Sequence, residues 1–96
     1  MSNMNTREKI FLTLTDRLEA QFVDIKDESA KHAGHKSAKE SGGGHYDAII
    51  VSSHFEGKAT LARHRLIYEA LQKEFSREIH ALSIKAYTPE EWNKLL

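Results

Sequence analysis

Hydrophobic residues along this 96-residue chain change period several times, and each change marks an element. Ile10, Phe11, Leu14 and Leu18 recur at helical spacing behind Asn5 and Glu8, a pair set three apart as in a capping box, and predict a first helix over residues 6–20. Residues 22–26 alternate in the manner of a strand with one wet side, which puts Val23 and Ile25 inward, and Asp27, Glu28 and Ser29 end it. Residues 46–52 are more continuously apolar, as expected of a more central strand. Gly57 offers a turn, after which Leu61, His64, Ile67, Leu71 and Phe75 lie along one side of a long helix, widened by Leu66, Tyr68 and Ala70. Ser76, Arg77 and Glu78 form a turn, and residues 79–87 read as a third strand. Thr88, Pro89 and Glu91 supply a cap, a proline at the first helical position and an acid three residues after the cap. They predict a short terminal helix that holds Trp92 and Leu95 against the body.

Residues 30–44 show neither period and close on three glycines, so a long mobile loop joins the first two strands. Such loops are more often functional than decorative, which draws attention to His32 and His35, although an ordinary flexible linker accounts for the composition equally well. Strands joined by this loop pair antiparallel, while a strand, a helix and a further strand imply a parallel third neighbour. The expected architecture is a single α+β domain with a three-stranded mixed sheet.

Composition narrows the function. With 40% hydrophobic and 29% charged residues and one proline, most of the chain should fold. Fourteen basic residues balance fourteen acidic ones, so no net field draws the molecule to nucleic acid or an anionic membrane, and only a local basic patch could. The absence of cysteine excludes disulfides and a self-contained thiolate metal site. A metal would need oxygen and imidazole, or sulfur from a partner. The first twenty residues lack an apolar run suited to a signal peptide or membrane span, so a cytoplasmic protein is expected. The triple glycine precedes a strand and opens no helix, which is wrong for a phosphate loop, and no nucleophile-base motif stands out. Enzyme activity is not expected.

Six histidines are many for this length. His64 lies on the apolar side of the long helix and reads as a half-buried core residue. His45 and His54 border the second strand as solvated or capping residues. His80 falls in strand phase with Leu82, Ile84 and Ala86 but lies where the sheet frays, so it reads either as a plain strand-end histidine or as a ligand with one nitrogen at the surface. His32 or His35 on the loop could reach it, giving two nitrogens: too few for a closed zinc site, enough for half of a shared one. Arg63, Arg65 and Lys58 near the start of the long helix could meet phosphates, yet with Glu56, Glu69 and Glu74 close by they also fit a salt-bridged helix face.

The run VSSHFEGKATLARHRLIYEAL, then IHALSIKAYTPEEW, with DESAKHAGH and GGGHY upstream, resembles the BolA family in its histidine-loop form over nearly the whole chain. The specific parts are Phe55 with Gly57, the triplet Arg63-His64-Arg65, and the strand start His80-Ala81-Leu82. The resemblance implies a class II KH-like fold in the order α-β-β-α-β-α. It lacks the GXXG clamp by which KH domains hold nucleic acid, since Lys58, Ala59 and Thr60 follow Gly57. It further implies an adaptor, monomeric when free, that binds a monothiol glutaredoxin and co-ligates a [2Fe-2S] cluster with it and glutathione, in cluster trafficking or iron homeostasis. His80 matches the family's strand histidine, and His32 the loop ligand, with His35 as a nearby competitor. Some relatives act as transcriptional regulators, for which Arg63, Arg65 and Lys58 would be the DNA-binding residues.

Overall fold

The computed structural model describes residues 5–28, 44–75 and 78–96, with the backbone alone for 73–75. Helix α1 (Thr6–Arg17) is followed by strand β1 (Phe22–Asp27), strand β2 (Gly44–Val51), a 3-10 turn (Ser53–Phe55), helix α2 (Thr60–Phe75), strand β3 (Ile79–Tyr87) and helix α3 (Pro89–Leu95). The sheet order is β1-β2-β3, antiparallel between β1 and β2 and parallel between β2 and β3. This is the mixed α+β arrangement that the patterns predict.

Local chemistry sets the helix starts. At α1 the Asn5 side chain accepts from the Glu8 N–H while the Glu8 carboxylate accepts from the Asn5 N–H, and Thr88 with Glu91 repeats the device at α3 behind Pro89. Each box satisfies donors that a helix start would otherwise leave open. Helix α1 ends at Arg17, three residues short of the expected boundary. Leu18 caps it, and Glu19 takes a left-handed φ of 46° that no helix can continue.

Both long helices cover one face of the sheet. Ile10, Leu14 and Leu18 from α1 and Ile67, Ala70 and Leu71 from α2 pack with Val23, Ile25, Tyr46, Ala48, Ile50 and Phe55 in one core, flanked by partly buried Leu82, Ile84 and Ala86. Leu61 is 64% exposed, against expectation. At 100° per residue it stands about 120° around the helix from Ile67, too far to reach the sheet. Arg63, only about 40° away by the same count, faces inward. Helix α2 starts at Thr60 because the preceding residues are used by the 3-10 turn and by Gly57, whose φ of 74° suits glycine.

On the opposite face Trp92 of α3 stacks on Phe22 with ring centroids 5.1 Å apart and meets Tyr87 at 5.5 Å. Phe22 and Tyr87 both pair with Val51, so the indole covers the end of all three strands and Val51 is fully buried. Leu95, expected against the body, stays exposed.

Strand β2 begins at Gly44, earlier than the pattern predicts, and ends at Val51. Ser52 is instead a buried link: its Oγ donates to the Leu18 carbonyl at 2.6 Å and accepts from the His54 N–H at 3.0 Å.

Candidate functional site

The register of β2 with β3 shifts at its first step. Gly44 pairs with Ile79 and His45 with Ala81, leaving His80 as an extra residue. Such a bulge places two consecutive side chains on the same side. Ile79 therefore packs against the core while His80 and Ala81 are both exposed. The expected phase of His80 with Leu82, Ile84 and Ala86 is thus interrupted by the bulge, and the imidazole stays exposed.

This margin is tied to the body at several points. The Gly44 N–H donates to the Glu78 carbonyl at 3.0 Å, and the Glu28 N–H donates to the His45 carbonyl at 2.7 Å. The Glu78 carboxylate accepts from the Thr6 hydroxyl at 2.9 Å and lies 3.4 Å from the Lys9 ammonium. His80 is thereby held two residues from an anchor on α1. Burial, the nearby Asp27 carboxylate and, more weakly, that of Glu78 push the Tyr46 phenol up, against an opposing hydrogen bond with Thr6.

His80 also borders an open groove of about 580 Å³ between α2 and β3, with Tyr68, Gln72 and Ala81 on its walls. The Tyr68 hydroxyl donates to the Leu82 carbonyl at 3.3 Å. A second, charged trough of about 240 Å³ runs along the open sheet face between Asp24, Lys26, Asp47 and Lys85, where both signs of charge alternate.

The sequence-predicted residues fall into three groups. His80 stands exposed at the margin, as a ligand would need. His32 and His35 lie outside the described residues. Of the basic trio, Lys58 and Arg65 are exposed, whereas the Arg63 side chain is 13% exposed and engaged throughout. Its Nε donates to the Lys58 carbonyl at 2.7 Å, and one terminal nitrogen donates to the Ala86 carbonyl at 3.1 Å and to Glu91 at 2.6 Å. The other terminal nitrogen donates to Glu91 at 3.1 Å. This fork, helped by the Thr88 N–H, holds the Glu91 carboxyl down at about 2, and Glu91 in turn raises the guanidinium. A phosphate at Arg63 would have to displace Glu91.

His45 is the residue that the sequence pattern passed over. Its ring centroid lies 5.0 Å from that of His80, with the planes inclined by 46°. The signal was available: two parallel strands that start at one end of a sheet set their opening residues side by side, and both have histidine in second place. His54 pairs instead with Glu19 at 2.9 Å, and His64 is half-buried on α2.

Among the described residues no three His, Asp or Glu side chains converge as a metal cage. Nor is any described helix long and apolar enough to cross a membrane.

The fold and this margin define a small α+β module with two neighbouring histidines at one sheet end. A family model for BolA-like proteins matches residues 14–91, and the chain belongs to that family. It is 42% identical over 92 residues to "SufE-like protein 1, chloroplastic/mitochondrial" of Arabidopsis thaliana, covering 92% of this chain and 24% of that protein. It is 37% identical over 95 residues to the "DNA-binding transcriptional regulator BolA" of Escherichia coli K12, covering 96% of this chain and 84% of that one. The structure of a bol-like protein from Babesia bovis superposes with a TM-score of 0.77 at 32% identity, over 99% and 98% of the two chains. The chain thus spans about a quarter of the Arabidopsis relative's length.

Proposed function

We propose that this chain is an adaptor, and not an enzyme, that binds a monothiol glutaredoxin and shares a [2Fe-2S] cluster with it in cytoplasmic cluster trafficking or iron homeostasis. The observation that carries the reading is His80: an exposed imidazole on an anchored sheet margin, beside a groove open to a partner. His32, with His35 as competitor, is the second ligand by the family resemblance. The chain has no cysteine, so the glutaredoxin and glutathione supply sulfur. Two imidazoles on one iron and thiolates on the other give such a cluster a higher potential than four thiolates do. Because protonated imidazole has no lone pair to give, sharing weakens as pH falls. Mixing the chain with cluster-loaded glutaredoxin should change the visible absorption and circular dichroism. A spectrum identical to that of glutaredoxin alone, or a change that survives intact in His80→Ala, refutes the reading.

A second reading, DNA binding, is favoured by the name of the Escherichia coli relative and by the exposure of Lys58 and Arg65. Each phosphate contact should add about 0.9 to the slope of log affinity against log salt. Arg65→Ala should lower that slope at unchanged thermal stability. Affinity for duplex that is negligible at low salt ends this reading.

A further inference from the structure

The contact between His45 and His80 is not needed by the core, since neither residue belongs to it. Each ring sits on backbone fixed by its neighbours: the Gly44 N–H to Glu78 carbonyl bond ties the two strand starts together, and the Glu28 N–H holds the His45 carbonyl. The bulge turns His80 to the side where His45 stands. The spacing has a chemical meaning. Two imidazoles on one tetrahedral ion, with metal-nitrogen bonds of about 2.1 Å and ring centres about 1 Å behind each nitrogen, have centres roughly 5 Å apart. The observed ring separation is 5.0 Å, the spacing of ring centres that such an ion requires.

We propose that His45 and His80 form a preorganised two-nitrogen site that binds a single borderline divalent ion, Zn²⁺ or one like it, in the isolated chain. Imidazole nitrogen suits such ions, and two protein ligands leave tetrahedral positions for water or for donors from a partner. Because both rings belong to paired strands, the site is complete without residues 29–43. It places a second imidazole beside His80 that requires no loop histidine. The site stands on the sheet geometry and does not depend on the glutaredoxin reading.

The test is titration of the metal-free chain with Zn²⁺ alone at about pH 7.5, above the ordinary imidazole range, followed by calorimetry and by ring-resolved NMR of the imidazoles. One ion should bind per chain, with the largest shifts at the His45 and His80 rings. His45→Gln and His80→Gln should each weaken binding by at least about tenfold, while a His32→Gln/His35→Gln double variant should stay within about twofold. No saturable binding up to about 1 mM Zn²⁺, binding untouched by His45→Gln, or binding lost in the loop double variant overturns the proposal. Far-UV circular dichroism checks the fold of each variant. Should His45→Gln not fold, the ring shifts of the unmodified chain decide: shifts centred on other histidines overturn it. No glutaredoxin is present, so a negative result here leaves the shared-cluster reading to its own experiment, and the reverse also holds.

Discussion

Gly44 opens β2 immediately before His45, and replacing it with alanine is the sharpest probe of how the core positions the site. A Cβ at Gly44 would lie 2.6 Å from the Tyr46 hydroxyl oxygen and 2.7 Å from two of its ring carbons. These distances are well inside van der Waals contact. Tyr46 is 6% exposed and part of the core, so its ring cannot swing into solvent to make room. The glycine is not required by its backbone, because Gly44, unlike Gly57, does not take a positive φ. The cost of Gly44→Ala is therefore steric. Overpacking of this kind costs roughly 1–3 kcal/mol. For a domain of this size that lowers the melting temperature by roughly 4–24 °C, at 4–8 °C per kcal/mol.

The assay is a double-mutant cycle by urea denaturation. In the natural background Gly44→Ala should destabilise. Against Tyr46→Leu, which removes the clashing ring end, the same change should be neutral or stabilising by up to about 1 kcal/mol, the entropic benefit of alanine at an unstrained position. The Gly44 N–H bonds the Glu78 carbonyl, so the single variant should also shift the ring resonances of His45 and His80. Equal losses of stability in both backgrounds refute the steric argument.

Three further outcomes follow from other parts of the structure. The Glu91 carboxyl lies at about 2 in the folded chain, against an ordinary 4.5. It thus lends stability that is complete above pH 4.5 and lost as pH falls towards 2, and Glu91→Gln should flatten the acid limb of a stability-pH curve in that window. Tyr46 shows the opposite sign: its phenol is raised above 10 by burial first and Asp27 second, so stability holds below pH 10 and declines above it, and Tyr46→Phe should blunt that alkaline decline. Ser52→Ala should cost roughly 1–3 kcal/mol in chemical denaturation by stranding a buried carbonyl and a backbone N–H, whereas Ser53→Ala, at an exposed position, should cost little.

How far the sequence could be read depended on whether the deciding contact was local. The helix starts at Asn5 and Thr88 were legible because a capping box is closed within four residues. The end of α1 was not, since Glu19 adopts its left-handed φ without the glycine that would have announced it. A triple glycine reads as loop, yet Gly44 belongs to β2, because what it accommodates is the Tyr46 ring folded back beside it. Arg63 looked like a surface cation. Counting turns from Ile67 would have put it inward, but its partners Ala86 and Glu91 lie more than twenty residues away and no local pattern announces them. His80 was found by its place at the strand start and by family resemblance, while its outward aim comes from a bulge that only the pairing with β2 defines. His45 could be placed near His80 only by setting the two strand starts side by side, since its neighbour is fixed by inter-strand register.

The position of the histidine pair at a sheet margin also shows how the proposed ion site would coexist with a stable small domain. An imidazole on the helix-covered face of the sheet's centre would be buried under α1 and α2, and on a fraying end it would lose its orientation. The bulge gives His80 exposure while Ile79, one residue earlier, stays packed on the core. Glu78, one residue earlier still, is fastened to α1 through Thr6 and Lys9. The order of the His80 ring is thus set in folding, and a metal or partner bound as proposed would not have to supply it again, which is how preorganised groups gain affinity. If so, loosening the anchor should weaken binding without touching a ligand: Glu78→Gln removes the charge attracting Lys9, and Glu78→Ala removes the acceptor altogether. Zn²⁺ affinity should fall in the order natural chain, Glu78→Gln, Glu78→Ala, with the His80 ring resonance broadening in the same order. Unchanged affinity in Glu78→Ala would mean that the margin is held by backbone pairing alone.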